Sequence, residues 1–240
     1  MNKRFVQRAY QPYKWIIVIP AIILNTLVMG LGCIVAVAVF GSDKADLLAQ
    51  IWARIVCAIT LIRVRIQGRQ NYDPLSPYVV VANHKSMVDI PVIQGFTGLT
   101  IKWVMKIELK KIPVFGTACS FLGYIYVNRS SAQAAVKSIK AAKSKLSSRA
   151  SVLFFAEGTR SKGDLLPFKK GAFVFAMNSG RPVLPITIKN SEQILPSNTL
   201  DLMPGTVDLI IHPPVHITNC SKAELDKKIA QIHQTVASAL

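Results

Sequence analysis

A long apolar stretch near the start of the chain constrains its fold more than any other feature of the sequence. Residues 15–40 contain no charged side chain, and the stretch exceeds the about 20 residues that a helix needs to cross a bilayer. A secretory signal would have a shorter apolar region and a small-residue cleavage site, so we expect the stretch to be retained. It predicts a membrane anchor; the alternative is a buried core hairpin of a soluble domain.

A second apolar stretch, residues 47–62, has its large side chains at helical spacing but carries Arg54 in its middle. We therefore predict a helical hairpin that crosses the membrane twice or dips into one leaflet, with both ends cytoplasmic. Residues 1–62 are assigned to membrane attachment and residues 63–240 to one folded domain. The cytoplasmic placement rests on basic residues that precede the first stretch without any acid, namely Lys3, Arg4, Arg8 and Lys14.

The charge balance of the chain indicates an anionic membrane surface as its partner. The 240 residues include 29 Lys and Arg against 12 Asp and Glu, a net charge of +17, while 51% of the residues are hydrophobic. Each basic residue near an anionic membrane contributes about 1 kcal/mol of attraction. Nucleic acid is not expected, because the sequence contains no aromatic-rich binding motif or basic recognition helix. The four cysteines show no CxxC spacing, and we expect no metal site.

Short runs typical of β-strands alternate with helical patterns in the folded domain. Ser221 and Glu224 form a capping box before the last helix, and another helix is predicted at residues 132–146. Strands that alternate with helices predict an α/β fold, with a mixed, partly parallel sheet flanked by helices. The predicted strands are residues 63–67, 78–82, 101–105, 124–127, 152–155, 183–188 and 207–211.

Three polar clusters directly follow predicted strands, at residues 83–89, 128–129 and 157–160. Ligands bind outside the carboxyl ends of strands in open α/β sheets, so the three clusters predict one shared site. His84 is predicted in the turn before a helix and Asp89 near the helix start, where its carboxylate can hold the imidazole. Such a pair acts as a general base. The alternatives are a simple helix cap and a structural histidine.

The first cluster belongs to an ordered set of motifs. Residues 84–89, His-Lys-Ser-Met-Val-Asp, resemble the HX4D motif of the glycerolipid acyltransferase family, in particular its 1-acylglycerol-3-phosphate acyltransferase branch. Residues 106–116, 123–129, 157–161 and 181–186 resemble, in the same order, the lysine-led stretch and the second, third and fourth motifs of that family. The resemblance therefore covers most of the folded domain, which is interpreted as an acyltransferase domain.

This resemblance implies an activity. A fatty acyl group would move from a thioester of acyl-carrier protein or coenzyme A to the sn-2 hydroxyl of lysophosphatidic acid, giving phosphatidic acid, without a cofactor. We expect the enzyme at the cell inner membrane, with its active site facing the cytoplasm where such thioesters are made. Three other functions stay open: acylation of another lysolipid such as a lyso-ornithine lipid, non-catalytic binding of anionic lipid, and thioester hydrolysis.

The resemblance also implies roles for individual residues. The acceptor hydroxyl is expected to attack the thioester directly, because an acyl-enzyme route would need a nucleophile such as Ser86 or Cys119 beside the base. In the implied assignment the base is His84, its partner Asp89, the contact to the glycerol part Glu157, and the phosphate ligand Arg160, with Gly158 and Thr159 in the same substrate-binding motif.

Further basic residues are expected to bind the phosphate, because arginine forms bidentate, charge-assisted bonds with phosphate oxygens. Lys106 and Arg129 are predicted in the cleft for this reason, although Arg129 would alternatively pair with Glu157 as scaffold. Lys169 and Lys170 either extend the phosphate site or form a solvated basic face.

The sequence departs from the family pattern at two positions. Asn128 stands where an aspartate is common, and Ala156 stands where proline usually precedes the third motif. Neither change removes a group that the mechanism needs, but the alanine is expected to loosen the strand end.

Overall fold

A seven-stranded sheet organises the computed structural model, which describes residues 3–128, 138 and 146–240. The strands follow one another across the sheet in the order β1-β7-β6-β2-β5-β3-β4. All seven predicted strands are present, with ends shifted by one or two residues. The strands are β1 Ile62–Gln67, β2 Val79–Ala82, β3 Ile101–Lys106, β4 Ile125–Val127, β5 Ser151–Phe155, β6 Val183–Lys189 and β7 Gly205–Ile211.

Strand direction makes the sheet mixed, which confirms the predicted fold class. Strands β6, β2, β5, β3 and β4 run parallel, whereas β7 is antiparallel to β6 and parallel to β1. The carboxyl ends of the five parallel strands therefore lie at one edge. All four residues of the central strand β2 are 0% exposed, and its continuous apolar run is typical of a parallel strand covered on both faces.

Helices cover the sheet and extend from it at the amino terminus. The predicted capping box is present, because the Ser221 hydroxyl accepts the Glu224 N–H while the Glu224 carboxylate accepts the Ser221 N–H. The helix predicted at 132–146 lies almost entirely outside the described residues. The α-helices are α1 Lys3–Tyr13, α2 Ile19–Phe40, α3 Ser42–Ile59, α4 Asp89–Phe96, α5 Phe115–Phe121, α6 Gly171–Ser179, α7 Ser191–Ile194 and α8 Lys222–Ala237, and a π-helical segment, Lys14–Val18, joins α1 to α2.

The predicted amino-terminal hairpin is formed by α2 and α3, which pack against each other. The Asn25 amide donates to the Trp52 carbonyl, and the Trp52 indole donates to the Thr26 hydroxyl. In the described part of the chain, one helix is long and apolar enough to cross a membrane, Gln7–Phe40, with a mean hydropathy of 2.5. Its outer face exposes large apolar side chains, including Trp15, Ile16, Leu24, Val28, Leu31, Val35 and Phe40.

The other helix of the hairpin, α3, is fastened to the folded domain. Arg54, the charge that makes its apolar stretch unusual for a span, donates to the Gly95 carbonyl at 2.7 Å. At the hairpin tip, the Lys102 ammonium lies 3.3 Å from the Ser42 carbonyl oxygen and 3.4 Å from an Asp43 carboxylate oxygen. The tip and the sheet are therefore held together, while α2 presents an extended apolar face.

The hydrophobic core crosses the predicted boundary between attachment segment and domain. Val18 of the π-helical segment and Cys57 of α3 belong to the same buried cluster as Val80 and Leu153 of the sheet. Ile62, assigned to the attachment segment, is the first residue of β1. The hairpin and the sheet thus share one core.

Candidate active site

His84 and Asp89 meet at the carboxyl edge of the parallel strands. Strand β2 ends at Ala82, His84 lies in the following turn, and α4 begins at Asp89. The Nδ1 atom of His84 lies 2.8 Å from Oδ2 of Asp89, whose side chain is completely buried while that of His84 is 13% exposed. The structure therefore brings together the two residues that the sequence predicts as a pair.

The carboxylate of Asp89 fixes both the turn and the imidazole. Its Oδ2 atom also accepts the backbone N–H groups of Lys85 and Ser86, each at 2.9 Å. A carboxylate only accepts hydrogen bonds, so we assign the imidazole proton to Nδ1. The lone pair is then on Nε2, and no residue in the described part of the chain donates a hydrogen bond to this atom. This arrangement suits Nε2 to accept a proton.

A phenyl ring stacks on one face of the imidazole of His84. The rings of His84 and Phe155 are stacked, with centroids 3.7 Å apart and planes inclined by 5°. Phe155 is the last residue of β5, the strand beside β2 in the sheet. Its ring also contacts Trp103 of β3, with a centroid separation of 5.8 Å. Side chains of the neighbouring strands β5 and β3 therefore pack beneath the imidazole, with Phe155 in direct contact with it.

Glu157 joins the segment after β5 to the segment after β2. It is 2% exposed, its Oε1 atom accepts the His84 backbone N–H at 2.8 Å, and its Oε2 atom accepts the Leu166 N–H at 2.9 Å. The Ser161 N–H in turn donates to the His84 carbonyl at 2.9 Å. Both oxygens of Glu157 are thus bonded to backbone groups. A glycerol contact, as the resemblance implies, would share oxygens that already have partners.

The departure at Ala156 adds a backbone bond. Its N–H donates to the Ala82 carbonyl at 3.2 Å, and its carbonyl accepts the Lys169 N–H at 2.8 Å. A proline at this position would lack the first of these bonds. The expected loosening of the strand end is therefore offset by an extra hydrogen bond between β5 and β2.

Two of the predicted phosphate ligands, Arg160 and Lys106, follow or end strands of this edge. Arg160 donates from Nη2 to the Asn198 amide oxygen at 3.3 Å, and the exposed Lys106 ends β3. Thr159 is exposed beside Arg160. Arg129 lies outside the described residues. A neutral amide leaves the full positive charge of Arg160 available to an anion.

Lys169 and Lys170 differ in their surroundings. A Cβ atom built on Gly158 would lie 2.6 Å from Nζ of Lys169, so the lysine side chain lies directly over this residue, whose φ is +76°. Lys170 instead forms an ion pair with Asp226 at 2.6 Å. Among the described residues, no carboxylate within ion-pair distance is seen for Lys169. The structure thus places Lys169 beside the third motif, whereas Lys170 forms an ion pair at the surface.

The two candidate nucleophiles are engaged in the structure. Ser86 is 0% exposed, and its hydroxyl donates to the Leu195 carbonyl at 2.7 Å. Cys119 is buried in α5, and burial raises the pKa of its thiol to about 12. Neither side chain is a ready nucleophile beside Nε2 of His84.

The two histidines near the last strand, His212 and His216, have different surroundings. His212 contacts the Thr187 hydroxyl at 2.8 Å, and burial lowers the pKa of its imidazole. His216 is exposed and is followed by the buried Ile217. In the described part of the chain, no three His, Cys, Asp or Glu side chains cluster as metal ligands would.

Comparison with known proteins identifies the family. Residues 63–189, more than half of the chain, match the family model described as Acyltransferase. The chain belongs to the acyltransferase family. This acyltransferase is 33% identical over 191 residues to the 1-acyl-sn-glycerol-3-phosphate acyltransferase of Pseudomonas aeruginosa, with 77% of the chain and 72% of that protein aligned. The resemblance drawn from the motifs is therefore confirmed.

Plant and thermophile proteins extend the comparison. The acyltransferase is 38% identical over 181 residues to the chloroplastic 1-acyl-sn-glycerol-3-phosphate acyltransferase BAT2 of Brassica napus, with 74% of the chain aligned to 51% of that protein. The chain spans about half the length of such chloroplast relatives. The crystal structure of the 1-acyl-sn-glycerophosphate acyltransferase PlsC from Thermotoga maritima superposes with a TM-score of 0.69 at 27% identity, covering 90% of this chain and 97% of that one.

Two residues at the site gave no recognisable sequence signal. Phe155 ends an apolar strand, and its sequence context predicts an ordinary core residue. Asn198 lies in a loop far from the three polar clusters. Their positions became evident only from contacts across the fold with His84 and Arg160.

Proposed function

We propose that this acyltransferase moves a fatty acyl group from an acyl thioester to the free sn-2 hydroxyl of lysophosphatidic acid and so forms phosphatidic acid. The observation that carries the proposal is the bond between His84 and Asp89 at the carboxyl edge of the sheet, with Nε2 left to accept a proton. The relatives from Brassica napus and Pseudomonas aeruginosa, both named 1-acyl-sn-glycerol-3-phosphate acyltransferases, support the same acceptor. The donor is a thioester of acyl-carrier protein or coenzyme A.

In the proposed mechanism, Nε2 of His84 takes the proton of the acceptor hydroxyl as its oxygen attacks the thioester carbonyl. Asp89 stabilises the imidazolium that forms. The tetrahedral intermediate then expels the thiol, which takes the proton from His84, and the new ester remains on the lipid. Direct attack is favoured over an acyl-enzyme because Ser86 is buried and hydrogen bonded and Cys119 is held as a buried thiol.

The acceptor phosphate is proposed to bind Arg160 and Lys169, with Lys106 and Arg129 as further ligands. Arg160 is oriented by the neutral Asn198 rather than by a carboxylate, so its guanidinium keeps both its charge and donors for phosphate oxygens. Lys169 lies over Gly158 in the same motif. Both cations adjoin the segment that Glu157 bonds to His84, so a phosphate held there would place the attached glycerol beside the base.

Lys169 and Lys170 provide a charge-matched test of the phosphate site. We expect Lys169→Gln to raise the KM for lysophosphatidic acid about tenfold, the scale of one lost charge-assisted bond. Lys170→Gln removes the same charge but only a surface ion pair, so its KM should stay near the wild-type value. Steady-state kinetics with varied acceptor measures both. An equal rise in KM for the two variants would contradict a specific contact by Lys169.

Contacts at the membrane side support entry of the acceptor from the lipid. The Lys14 ammonium, at the start of the apolar helix, donates to the Leu200 carbonyl at 3.0 Å. The same loop carries Asn198, the partner of Arg160, and Leu195, the partner of Ser86. This loop thus connects the membrane helix with the segments that hold phosphate and base. A lysolipid that leaves the bilayer beside the helix would meet the site directly.

We propose that the enzyme lies on the cytoplasmic face of the cell inner membrane, with its hairpin dipping into one leaflet. The contacts of Lys102 with Ser42 and Asp43 support this, because the hairpin tip and the active-site domain then share one side of the membrane. A cysteine at the exposed Lys44, in a Cys220→Ser background, should react with an impermeant maleimide only after the membrane is opened. Labelling of intact cells would contradict this placement.

Product analysis with the wild-type enzyme tests the proposed function. Mixed micelles would contain an acyl thioester and either lysophosphatidic acid or a phosphate-free lysolipid, and thiol and acylated lipid would be measured together. We expect equal amounts of thiol and phosphatidic acid, with little product from the phosphate-free acceptor. Thiol without lipid product would indicate a hydrolase, preference for a lyso-ornithine lipid would change the substrate, and lipid binding without turnover would indicate a non-catalytic protein.

A further inference from the structure

The ring of Phe155 is the closest aromatic neighbour that the structure gives to the imidazole of His84. The two rings lie nearly parallel, inclined by 5°, with their centroids 3.7 Å apart. Neutral aromatic rings prefer offset or edge-to-face arrangements with centroids about 4.5–7 Å apart. The stack of Phe155 on His84 is therefore closer and more nearly face-to-face than two neutral rings prefer, which distinguishes it from an ordinary aromatic contact.

The alternation of side chains along β5 places the two neighbouring phenylalanines on opposite faces of the sheet. Phe154 points to the face where it contacts Phe175 of α6, at 5.7 Å between centroids. Phe155 points to the other face, where its ring contacts those of His84 and Trp103. A one-residue difference thus separates a core phenyl ring from one that touches the base.

A second aromatic neighbour, Trp103, helps to hold the ring of Phe155 in position. The Trp103 indole ring contacts it, and the indole N–H donates to the side-chain oxygen of Gln94 at 2.6 Å. Gln94 is 1% exposed and belongs to α4, the helix that begins with Asp89. Contacts with buried neighbours thus fix the ring of Phe155, and its face lies nearly parallel to the imidazole plane.

We propose that Phe155 is a positioning residue for His84, whose ring face holds the imidazole in plane with Asp89 and stabilises the imidazolium formed during acyl transfer. This inference rests on the proposed function. The face of a phenyl ring is electronegative and attracts a cation within about 6 Å of its centroid. The contact becomes stronger when His84 takes the hydroxyl proton, so it stabilises the transition state more than the ground state.

Other charges near His84 act through different atoms. Asp89 binds Nδ1, Glu157 binds the backbone N–H, and Lys85 and Arg160 lie in the adjoining segments. None of them replaces a contact with the face of the imidazole. Loss of the phenyl ring is therefore expected to lower kcat and to leave the KM for both substrates nearly unchanged.

Graded fluorination of Phe155 separates the electrostatic role from packing. Phenylalanine analogues with increasing numbers of ring fluorines keep the shape of the side chain but withdraw negative charge from its face. We expect kcat to fall progressively along the series, to about one tenth for the most fluorinated ring, at constant KM and melting temperature. A kcat that does not depend on fluorination would overturn the proposal.

Substitutions by standard amino acids provide matched controls. Phe155→Leu should lower kcat about tenfold while Phe155→Tyr, which retains an aromatic face, stays within about twofold of wild type. Phe154→Leu makes the same change on the opposite face and should affect stability without a comparable loss of kcat. An equal kcat loss in Phe154→Leu and Phe155→Leu would overturn the proposal. A fully active Phe155→Leu beside an inactive His84→Ala would overturn only the stacking role, whereas an active His84→Ala would contradict the proposed function itself.

Discussion

Replacement of His84 by alanine is expected to lower the rate of phosphatidic acid formation by about 10²–10⁴-fold, the contribution of a positioned general base. Without the imidazole, the acceptor hydroxyl has no group to take its proton at the position of Nε2. Arg160 and Lys169 are unchanged in this variant, so binding of lysophosphatidic acid should persist. Initial rates in mixed micelles, with thiol and lipid product measured together, give the size of the loss.

A second histidine offers the control for this substitution. His216 is exposed and lies outside the polar clusters, so His216→Ala should keep nearly wild-type activity. Melting temperatures of both variants show whether the fold is retained, since removal of a partly exposed imidazole should cost little stability. If His84→Ala keeps more than about a tenth of the rate, a general base at this position is contradicted.

The seven strands could be predicted because each is a short run rich in residues that favour β-structure, and several are bounded by Gly, Pro or Asn. The run at residues 79–82, for example, is apolar throughout, as a strand covered on both faces requires. The order of the strands was beyond prediction. Strand β7 lies between β1 and β6, and its pairing joins Ile62 to Gly205, a contact that no local pattern encodes.

The site could be predicted in part for the same reason. His84 and Asp89 are close in sequence, so a turn followed by a helix brings them together whatever the rest of the fold does. Phe155 meets His84 only because β5 lies beside β2. Strand neighbours depend on the global topology, and a phenylalanine that supports a base has the same local sequence context as one that fills a core.

The hairpin shows the same limit. Its apolar stretch and basic amino terminus predicted membrane attachment, but Arg54 and Lys102 gave no hint of their partners. Their bonds to Gly95, Ser42 and Asp43 fasten the hairpin to the domain over its length. The roles of Arg54 in α3 and Lys102 in β3 therefore became evident only from the packing of α3 against the sheet and α4.

Replacement of Glu157 by glutamine is expected to lower both the activity and the stability of the enzyme. An amide has one acceptor oxygen, so either the His84 N–H or the Leu166 N–H loses its partner and faces an NH₂ group. A buried donor left without a partner costs about 1–3 kcal/mol in the free energy of unfolding. Since one of these donors belongs to His84, kcat should fall at least tenfold as the base moves from its position.

Glu224 is the matched control, because its carboxylate also accepts a backbone N–H, that of Ser221, but on the protein surface. Water replaces a lost bond there, so Glu224→Gln should leave stability and kcat nearly unchanged. Denaturant unfolding without substrate separates the two possible roles of Glu157. If Glu157 positions His84, its replacement lowers stability and kcat together. If Glu157 only contacts the glycerol part, its replacement raises the acceptor KM and leaves unfolding unchanged. The two backbone bonds of Glu157 favour the first result, and the second would return this carboxylate to the substrate-contact role implied by the family resemblance.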